Sequence, residues 1–459
     1  MEEIIILHTN DLHSHFEKWP RIRRYLLTEK DRLEELGKTV ITLDLGDFSD
    51  RVHPLTEATD GKANTVLMNQ VHYDLVTIGN NEGIGNSHEQ LNRLYDEANF
   101  NVLLANVKAA GGSQFPSWAS PSQIMTSKDG TKIGFMALTA PFPLTYNPNG
   151  WDVFEVDEVL PGLLKDLSSR SDVLVLMSHL GIEEETRIAQ TYPEIDVILG
   201  SHTHHLFVDG MLVGTTLLAA AGKFGRYVGK VTLELDNHQL VDKKASVQVT
   251  KELPEYREDL DEIDGYLAEG QRLLHAQVVG QLPRELSADP RVPNGLLDFA
   301  LKAIAHYGQV DAAILNSGLF LETLKAGRVT KDDLHRCLPH PMHLVKVTLT
   351  GEDLTSLVAE LRREKDALRD FPIVGMGFRG KIFGELRSLG LSWEDRSQPI
   401  RWQGLPLEKR QHYSFVTVDH LMFIPFFPTI REKGQIEMLF PDFLRHVIGD
   451  YLEEYYPCH

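Results

Sequence analysis

Short β-branched runs alternate with longer amphipathic stretches through the first half of the chain, and this alternation constrains the fold more than any other feature. Strand-like runs occupy residues 4–8, 39–43, 75–78, 102–105, 133–139, 173–177 and 197–199. Helical patterns lie between several of them, at residues 21–36, 65–71 and 87–97. Strand, helix and strand in this order predict an α/β layered domain whose functional loops gather at the strand ends.

A local change in composition divides the 459 residues into two parts. A chain of this length exceeds a single ordinary hydrophobic core. Acidic residues crowd a helical pattern at residues 254–277, which we interpret as a connecting helix. We therefore predict a catalytic domain at residues 1–253 and a second domain at residues 278–459. The second domain mixes helical patterns (294–306, 351–363 and 441–455) with strand-like runs (312–315, 344–349 and 413–418), which predicts an α+β fold.

The charge and the apolar pattern exclude several classes of partner. The net charge is -20 with histidines neutral, which disfavours binding to polynucleotides and to anionic membranes. Apolar runs stay well below the roughly 20 residues needed to span a bilayer. The first residues carry acidic side chains where a secretory signal is basic, and two cysteines cannot form a disulfide framework. We therefore expect a cytoplasmic protein that acts on small molecules, and its oligomeric state stays open.

Five strand ends in the first domain carry side chains of the types that bind metals. On an extended chain, residues i and i+2 share a face, so Asp11 with His13 and His202 with His204 are each expected to reach one ion. The full set of candidate ligands, in chain order, is Asp11, His13, Asp47, Asn80, His179, His202 and His204. Imidazole, carboxylate and carboxamide together suit Zn, Mn, Co, Fe or Ni. Each piece alone is ambiguous, whereas the ordered set of five predicts a metal centre.

Two segments resemble the 5'-nucleotidase/UDP-sugar hydrolase family of the calcineurin-like metallophosphoesterases. They are His8-Thr9-Asn10-Asp11-Leu12-His13-Ser14-His15 and Ala220-Ala221-Gly222-Lys223-Phe224-Gly225-Arg226-Tyr227, and the similarity extends over nearly the whole chain. The resemblance implies a layered α/β catalytic domain, a β-sandwich flanked by helices, and a 5'-nucleotidase-type C-terminal domain that binds substrate. It also implies two divalent ions. One is held by Asp11, His13, Asp47 and His204, and the other by Asp47, Asn80, His179 and His202.

The third motif departs from that family. The family reads Gly-Asn-His followed by an acidic residue, where the histidine assists the leaving group and pairs with an aspartate. Here Asn81 stands at the histidine position and Ile84 at the partner position. An amide donates a hydrogen bond but does not transfer a proton, and general acid catalysis is worth about 10²–10⁴-fold. His88 and His53 are alternative acids on the sequence alone.

The second domain departs as well. The family places an arginine after an Asn-Gly-Gly-like turn, whereas Asn316-Ser317-Gly318 here precedes Leu319. Arg379, in a glycine-rich segment, is the candidate substitute. The family also sandwiches the nucleotide base between two aromatic rings, and the resemblance assigns these roles to Phe371 and Phe427. Aromatic stacking on a base is physically plausible because every base has a π-face.

Three functions remain open on the sequence. The first is a phosphomonoesterase that releases phosphate from nucleotides. The second is a phosphodiesterase or pyrophosphatase for cyclic or sugar nucleotides, because the same metal-bound hydroxide starts both reactions. The third is a sensor that binds metal or nucleotide without catalysis, which the absent histidine and arginine favour.

Overall fold

The strand-like runs of the N-terminal half assemble into two packed sheets in a computed structural model. The structure describes residues 1–112, 114–375, 377–393, 395 and 397–458. The chain separates into unit 1, Met1–Gly270, and unit 2, Gln271–His459. Helix and strand bounds follow for each unit.

Unit 1 contains these strands, in chain order: β1 (Glu2–Thr9), β2 (Thr39–Asp44), β3 (Leu75–Val76), β4 (Asn101–Leu103), β5 (Val107–Ala109), β6 (Ala119–Ser120), β7 (Ser122–Thr126), β8 (Lys132–Thr139), β9 (Trp151–Val153), β10 (Val173–His179), β11 (Val197–Leu199), β12 (Met211–Val213), β13 (Thr216–Ala219), β14 (Tyr227–Asp236) and β15 (Gln239–Val249). Its helices are α1 (Trp19–Glu35), α2 (Pro54–Ala58), α3 (Lys62–Asn69), α4 (Asn80–Gly83), α5 (His88–Leu94), α6 (Pro143–Tyr146), α7 (Val156–Leu167) and α8 (Ile182–Thr191). Helix α9 (Arg257–His275) follows, and the boundary between the units falls inside it.

The two large sheets of unit 1 share one apolar core. The first sheet has the order β15-β14-β1-β2-β3-β4-β6, and the second has the order β12-β13-β11-β10-β8-β7. Apolar side chains from both sheets, such as Ile6, Leu43, Phe135 and Val175, form a single buried cluster. The outer face of the second sheet packs against α7 and α8 through residues such as Leu160. The expected β-sandwich flanked by helices is thereby confirmed.

The predicted connecting helix corresponds to α9, whose first turns pack on unit 1. Arg24 forms a two-pronged ion pair with Asp259, and Arg23 does the same with Glu262. Gly270 lies so close to the backbone of Leu55 that an added Cβ would fall 2.1 Å from its nitrogen. A larger side chain at Gly270 would therefore push the helix away from α2.

Unit 2 has the mixed α+β composition expected from its sequence. Its strands are β16 (Val278–Leu282), β17 (Ala313–Asn316), β18 (Gly327–Thr330), β19 (His343–Thr350), β20 (Leu386–Leu389), β21 (Leu391–Ser392), β22 (Arg401–Trp402), β23 (Leu405–Pro406), β24 (His412–Val418) and β25 (Gln435–Phe443). Its helices are α10 (Leu296–Tyr307), α11 (Lys331–Cys337), α12 (Gly351–Leu368), α13 (His420–Phe423), α14 (Pro428–Lys433) and α15 (Leu444–Tyr455). The main sheet has the order β20-β17-β24-β19-β25 and is covered by α10, α12 and α15.

Some elements differ from the sequence expectation. The last predicted helix begins at Leu444, not at residue 441, because the preceding residues extend β25 to Phe443. The long antiparallel pair β14 and β15 was not predicted. Along β15 half-buried and exposed residues mix without strict alternation, so its sequence resembles a polar connection. Among the described residues, no helix is both long and apolar enough to cross a membrane.

Candidate metal centre

The loops that carry the candidate ligands meet at one edge of the two-sheet core. Strands β1, β2 and β3 run parallel in the first sheet, and β10 and β11 run parallel in the second. The carboxyl ends of parallel strands direct their loops to the same edge. The structure brings together all the side chains predicted as ligands: Asp11, His13, Asp47, Asn80, His179, His202 and His204.

The backbone reaches this arrangement through left-handed residues rather than through extended alternation. Positive φ angles occur at five of the candidate ligands, namely Asp11 (50°), His13 (51°), Asp47 (50°), His202 (72°) and His204 (60°). Backbone hydrogen bonds hold the first two loops together, from Asp11 N to Gly46 O at 3.1 Å and from His13 N to Asp47 O at 2.8 Å. The expectation of a shared face on an extended chain was therefore wrong in its mechanism, although the two pairs do converge.

One group of ligand atoms surrounds a space beside His13. Its Nε2 atom lies 3.0 Å from Nε2 of His204, 3.8 Å from Oδ1 of Asp11 and 3.7 Å from Oδ2 of Asp47. Nε2 of His204 lies 3.7 Å from the same Asp11 oxygen. Four ligand atoms converge at this point, and imidazole and carboxylate donors in such an arrangement suit a divalent cation.

A second group lies on the other side of Asp47. Oδ2 of Asp47 lies 3.4 Å from Nε2 of His179, and Oδ1 of Asn80 lies 2.9 Å from Nδ1 of His202. The rings of His179 and His202 are 5.3 Å apart between centroids. Asp47 is therefore shared by both groups, as a carboxylate that bridges two ions would be.

The state of His179 tests whether a cation fits. Its side chain is fully buried, and Nδ1 lies 2.8 Å from the carbonyl oxygen of Leu45 and 2.9 Å from Oγ of Ser201. Nδ1–H donation to Leu45 leaves the lone pair on Nε2, which has no hydrogen-bond partner among the described residues. This buried lone pair faces a carboxylate oxygen, so a positive charge is needed between the two atoms.

Electrostatics in the centre indicate the same need. Burial alone lowers the pKa of His179, but the carboxylates of Asp47 and Asp11 overcome it and raise the pKa to about 10. Burial and the neighbouring His179 lower the pKa of His202 to about 4, and burial with the neighbouring His13 lowers the pKa of His204 to about 3. Without ions, a proton on His179 offsets the buried carboxylates. A divalent ion would offset more of this negative charge than one proton does. Its ligands would bind it in their deprotonated forms.

Asn81 lies at the metal centre, where it contacts candidate ligands and has no acidic proton to transfer. Its Nδ2 atom donates to the carbonyl oxygen of Ser49 at 2.9 Å and lies 2.9 Å from Nδ1 of His13. Its backbone N–H donates to Oδ1 of Asp47 at 2.8 Å. Asp50 stands on the same side of His13, with Oδ2 3.6 Å from Nδ1. If His13 binds a metal through Nε2, its Nδ1–H would donate to Asp50, while Asn81 holds Asp47 through its backbone N–H.

The two alternative acids have other contacts. The ring of His88 stacks on Trp151 at 4.1 Å between centroids. His53 accepts a hydrogen bond from the backbone of Leu55 at the start of α2, and its ring packs on Phe16 at 4.6 Å. These contacts give both histidines a packing role in unit 1.

Sequence reasoning did not single out three neighbours of the ligands. Glu185 is fully buried and lies 3.1 Å from Nε2 of His205, next to the ligand His204. Nζ of Lys223 lies 3.2 Å from Nδ1 of His204. The ring of Phe142, 38 % exposed, lies 5.9 Å from that of His202. Glu185 resembles one of several acidic residues in a first helical turn, so the sequence offered no signal for it.

The residues proposed for substrate binding in unit 2 have diverse surroundings. Asn316 is buried and donates to the carbonyl oxygen of Phe383 at 2.6 Å. Arg379 is half-buried, and its backbone N–H donates to Nδ1 of His340. Phe371 is 40 % exposed, whereas Phe427 lies fully inside the core. Phe426, one residue earlier, is the ring that meets Phe371 edge to face at 5.2 Å.

Comparisons with known proteins agree with this architecture. Residues 4–206 match the calcineurin-like phosphoesterase family, and residues 277–423 match the 5'-nucleotidase C-terminal domain. The uncharacterized metallophosphoesterase YunD of Bacillus subtilis is 38 % identical over 98 % of both chains. The 5'-nucleotidase of Vibrio cholerae is 24 % identical over 82 % of this chain and 79 % of its own.

Solved structures show the same fold at low sequence identity. A putative 5'-nucleotidase from Staphylococcus aureus matches with a TM-score of 0.67 and 16 % identity, over 99 % of this chain and 98 % of its own. The NAD nucleotidase of Haemophilus influenzae matches with a TM-score of 0.63 and 17 % identity, over 99 % and 96 %. The chain therefore belongs to the calcineurin-like phosphoesterases that carry a 5'-nucleotidase C-terminal domain, a family of metal-dependent phosphoester hydrolases.

Proposed function

We propose that this protein hydrolyses phosphoesters of nucleotides at a centre of two divalent ions. One ion would be held by Asp11, His13, Asp47 and His204, and the other by Asp47, Asn80, His179 and His202. The observation that supports this most directly is the buried, unpartnered Nε2 of His179 facing the carboxylate that both groups share. The donor types suit Mn, Zn, Co, Fe or Ni, among which they do not discriminate.

Two ions in such a centre supply a hydroxide nucleophile and neutralise charge on the phosphoryl group. The chain itself keeps the ligands in place. Leu45 and Ser201 fix the ring of His179, Asp50 faces the outer nitrogen of His13, and the backbone N–H of Asn81 holds Asp47. This preorganisation means that little rearrangement is needed as charge develops during the reaction.

The proposed substrate class is the nucleoside monophosphate. It is supported by the match of residues 277–423 to a 5'-nucleotidase domain and by the exposed ring of Phe371 beside Phe426. We assign base stacking to Phe371 and Phe426, because Phe427 has no exposed surface to offer a base. Arg379 stays the proposed cation of unit 2, and Asn316 is assigned a role in holding the Phe383 backbone rather than a direct contact.

A pyrophosphatase for sugar nucleotides or dinucleotides is the second candidate, and Asn81 is the observation that favours it. A phosphodiesterase for cyclic nucleotides stays an alternative that Asn81 does not favour, because it too expels an alkoxide. No proton donor replaces the family histidine at this position, so alkoxide leaving groups would be poorly stabilised. A nucleotide or sugar phosphate leaves as a weak base and needs no such help. Sugar nucleotides and dinucleotides would then be turned over faster than nucleoside monophosphates. A cytoplasmic location stays a prediction from the sequence.

A substrate panel separates these functions. AMP, UDP-glucose, 2',3'-cyclic AMP, NAD and p-nitrophenyl phosphate would each be incubated with the protein and Mn or Co, with products resolved by chromatography. Asp47→Asn is the inactive reference, and Asp166→Asn, at an exposed ion pair with Arg170, is the matched control. Metal-dependent turnover that only Asp47→Asn abolishes would support the hydrolase. Two bound metals without turnover of any substrate would favour the non-catalytic sensor.

A further inference from the structure

Lys223 is an unneutralised cation at the edge of the metal centre. Its half-exposed ammonium lies 3.2 Å from Nδ1 of His204 and 4.7 Å from the centroid of the Phe224 ring. Among the residues that the structure describes, no carboxylate oxygen lies within ion-pair distance of it, although Oδ1 of Asp11 lies 3.7 Å from Nε2 of the adjacent His204. In a chain of net charge -20, a lysine without an acidic partner beside an anion-binding centre needs an explanation.

The segment that carries Lys223 is fastened to the first ligand loop. Asn10 donates from Nδ2 to the carbonyl oxygen of Gly222 at 2.7 Å and accepts from the backbone of Ala221 at 3.1 Å. On the other side, the backbone N–H of Phe224 donates to the carbonyl oxygen of Asp11 at 2.7 Å. Lys223 therefore projects from a backbone that moves with the ligands.

The contact between Lys223 and His204 does not suit a metal-bound histidine. His204 presents Nε2 to the other ligands, 3.0 Å from Nε2 of His13. A neutral imidazole that binds metal through Nε2 carries its proton on Nδ1, so Nδ1–H and the ammonium would both be donors. Two donors do not form a hydrogen bond, and the ammonium must turn to another acceptor. A phosphoryl oxygen of the substrate would be such an acceptor.

We propose that Lys223 is a substrate-binding and specificity-determining residue whose ammonium binds a non-bridging oxygen of the phosphoryl group. This inference rests on the proposed function. A phosphomonoester carries two negative charges on this group and a phosphodiester carries one. The ammonium therefore favours monoesters, whichever leaving group they bear.

The experiment removes the charge while keeping the length of the side chain. Lys223→Met, Lys223→Arg and the control Lys244→Met would be compared with wild type in the presence of Mn. Lys244 is a fair control because it is exposed on strand β15, where it pairs with Asp242 on the same strand and with Glu234 on β14. Bound metal is measured by mass spectrometry, and the Kd of inorganic phosphate by calorimetry, which does not depend on turnover.

We expect Lys223→Met to keep its metal and to bind phosphate about tenfold to a hundredfold more weakly, with Lys223→Arg restoring most of the affinity. We also expect kcat/KM to fall more for p-nitrophenyl phosphate than for bis(p-nitrophenyl) phosphate, which share a leaving group. Unchanged phosphate affinity in Lys223→Met, or loss of metal from it, overturns the inference. If metal-loaded wild type binds no phosphate, the proposed function itself fails.

Discussion

The Nε2 atom of His179 and the Oδ2 atom of Asp47 lie 3.4 Å apart, and both side chains are buried. Nδ1 of His179 is already engaged with Leu45 and Ser201, so Nε2 has only the carboxylate to face. A proton on Nε2 or a cation between the two atoms would satisfy this relationship. It makes the stability of unit 1 dependent on what occupies the space between the two atoms.

Removing divalent metal is therefore expected to destabilise unit 1. An ion present at 100 times its Kd adds about 2.7 kcal/mol to the free energy of unfolding, which corresponds to about 5–10 °C in Tm. Differential scanning calorimetry with Mn and with a chelator would measure the difference. Asp47→Asn is the matched comparison, since its transition should respond much less to the ion. Equal shifts in both proteins would mean that the metal acts elsewhere.

Glu185 is predicted to position the loop that carries His202 and His204. It is fully buried, accepts from Oγ of Ser178 at 2.9 Å and from the backbone of Ser201 at 3.2 Å, and contacts His205. Glu185→Ala should weaken metal affinity about 10–100-fold without removing any ligand.

Its neighbour provides the control for this prediction. Glu184 lies in the same helical turn but pairs with Arg187 at the surface, so Glu184→Ala should leave metal affinity unchanged. Titration of both variants with Mn would distinguish the two effects. A Glu185→Ala protein that binds Mn as tightly as wild type would refute the positioning role.

Restoring a histidine at Asn81 should change the preference for leaving groups. Asn81→His would add a proton donor at the family position while losing the hydrogen bond to Ser49. We expect the ratio of kcat for AMP to kcat for p-nitrophenyl phosphate to rise about tenfold or more, because only AMP needs its leaving group protonated. Asn81→Gln, which keeps an amide, is the control. The same ratio in all three proteins would show that position 81 does not limit leaving-group departure.

The buried His420 of unit 2 makes a prediction about acid stability. Neither ring nitrogen has a hydrogen-bond partner among the described residues, and burial with repulsion from His340 lowers the pKa of His420 to about 3. The unfolded chain binds a proton at His420 below about pH 6.5, whereas the folded protein does not until about pH 3. Stability contributed by the neutral ring is therefore present above pH 6.5 and declines as the pH falls.

Two neighbouring groups, His340 and Asp419, change how steeply the stability of the folded protein depends on pH, but they do not reverse the direction. Burial lowers the pKa of His340 to about 4, which adds to the effect. Burial raises the pKa of Asp419 to about 7, which opposes it, since folded Asp419 keeps a proton that the unfolded chain releases. The combined effect of His420 and His340 exceeds that of Asp419, so these three groups together lower the stability as the pH falls.

His420→Leu should therefore match wild type at pH 7 and exceed it in Tm at pH 5, because leucine takes up no proton when the chain unfolds. Thermal unfolding at both pH values measures this, with His412→Leu, at an exposed position, as the control. A variant whose advantage over wild type is the same at both pH values would exclude the titration of His420 as the cause.

The sequence predicted seven parallel strands of unit 1, and it predicted that the candidate metal ligands gather because they follow those strands directly. It did not predict β13, β14 or β15, and it did not predict that Phe427 is buried while the half-buried Phe426 meets Phe371. The sequence did not indicate a role for Glu185, because a helical pattern does not distinguish a buried carboxylate from a surface carboxylate. The position of a residue just after a strand can be read from the neighbouring sequence, whereas its burial depends on how the whole domain folds.

The left-handed residues of the metal centre also limit which side chains can stand there. Asp11, His13, Asp47, His202 and His204 all hold a backbone conformation that is uncommon outside glycine, although aspartate and histidine adopt it more often than most residues. A β-branched residue would be strained at these places, whereas glycine or asparagine would fit the backbone. Glycine or asparagine would nevertheless remove an imidazole or a carboxylate from the centre. The backbone therefore admits substitutes that the proposed metal centre does not.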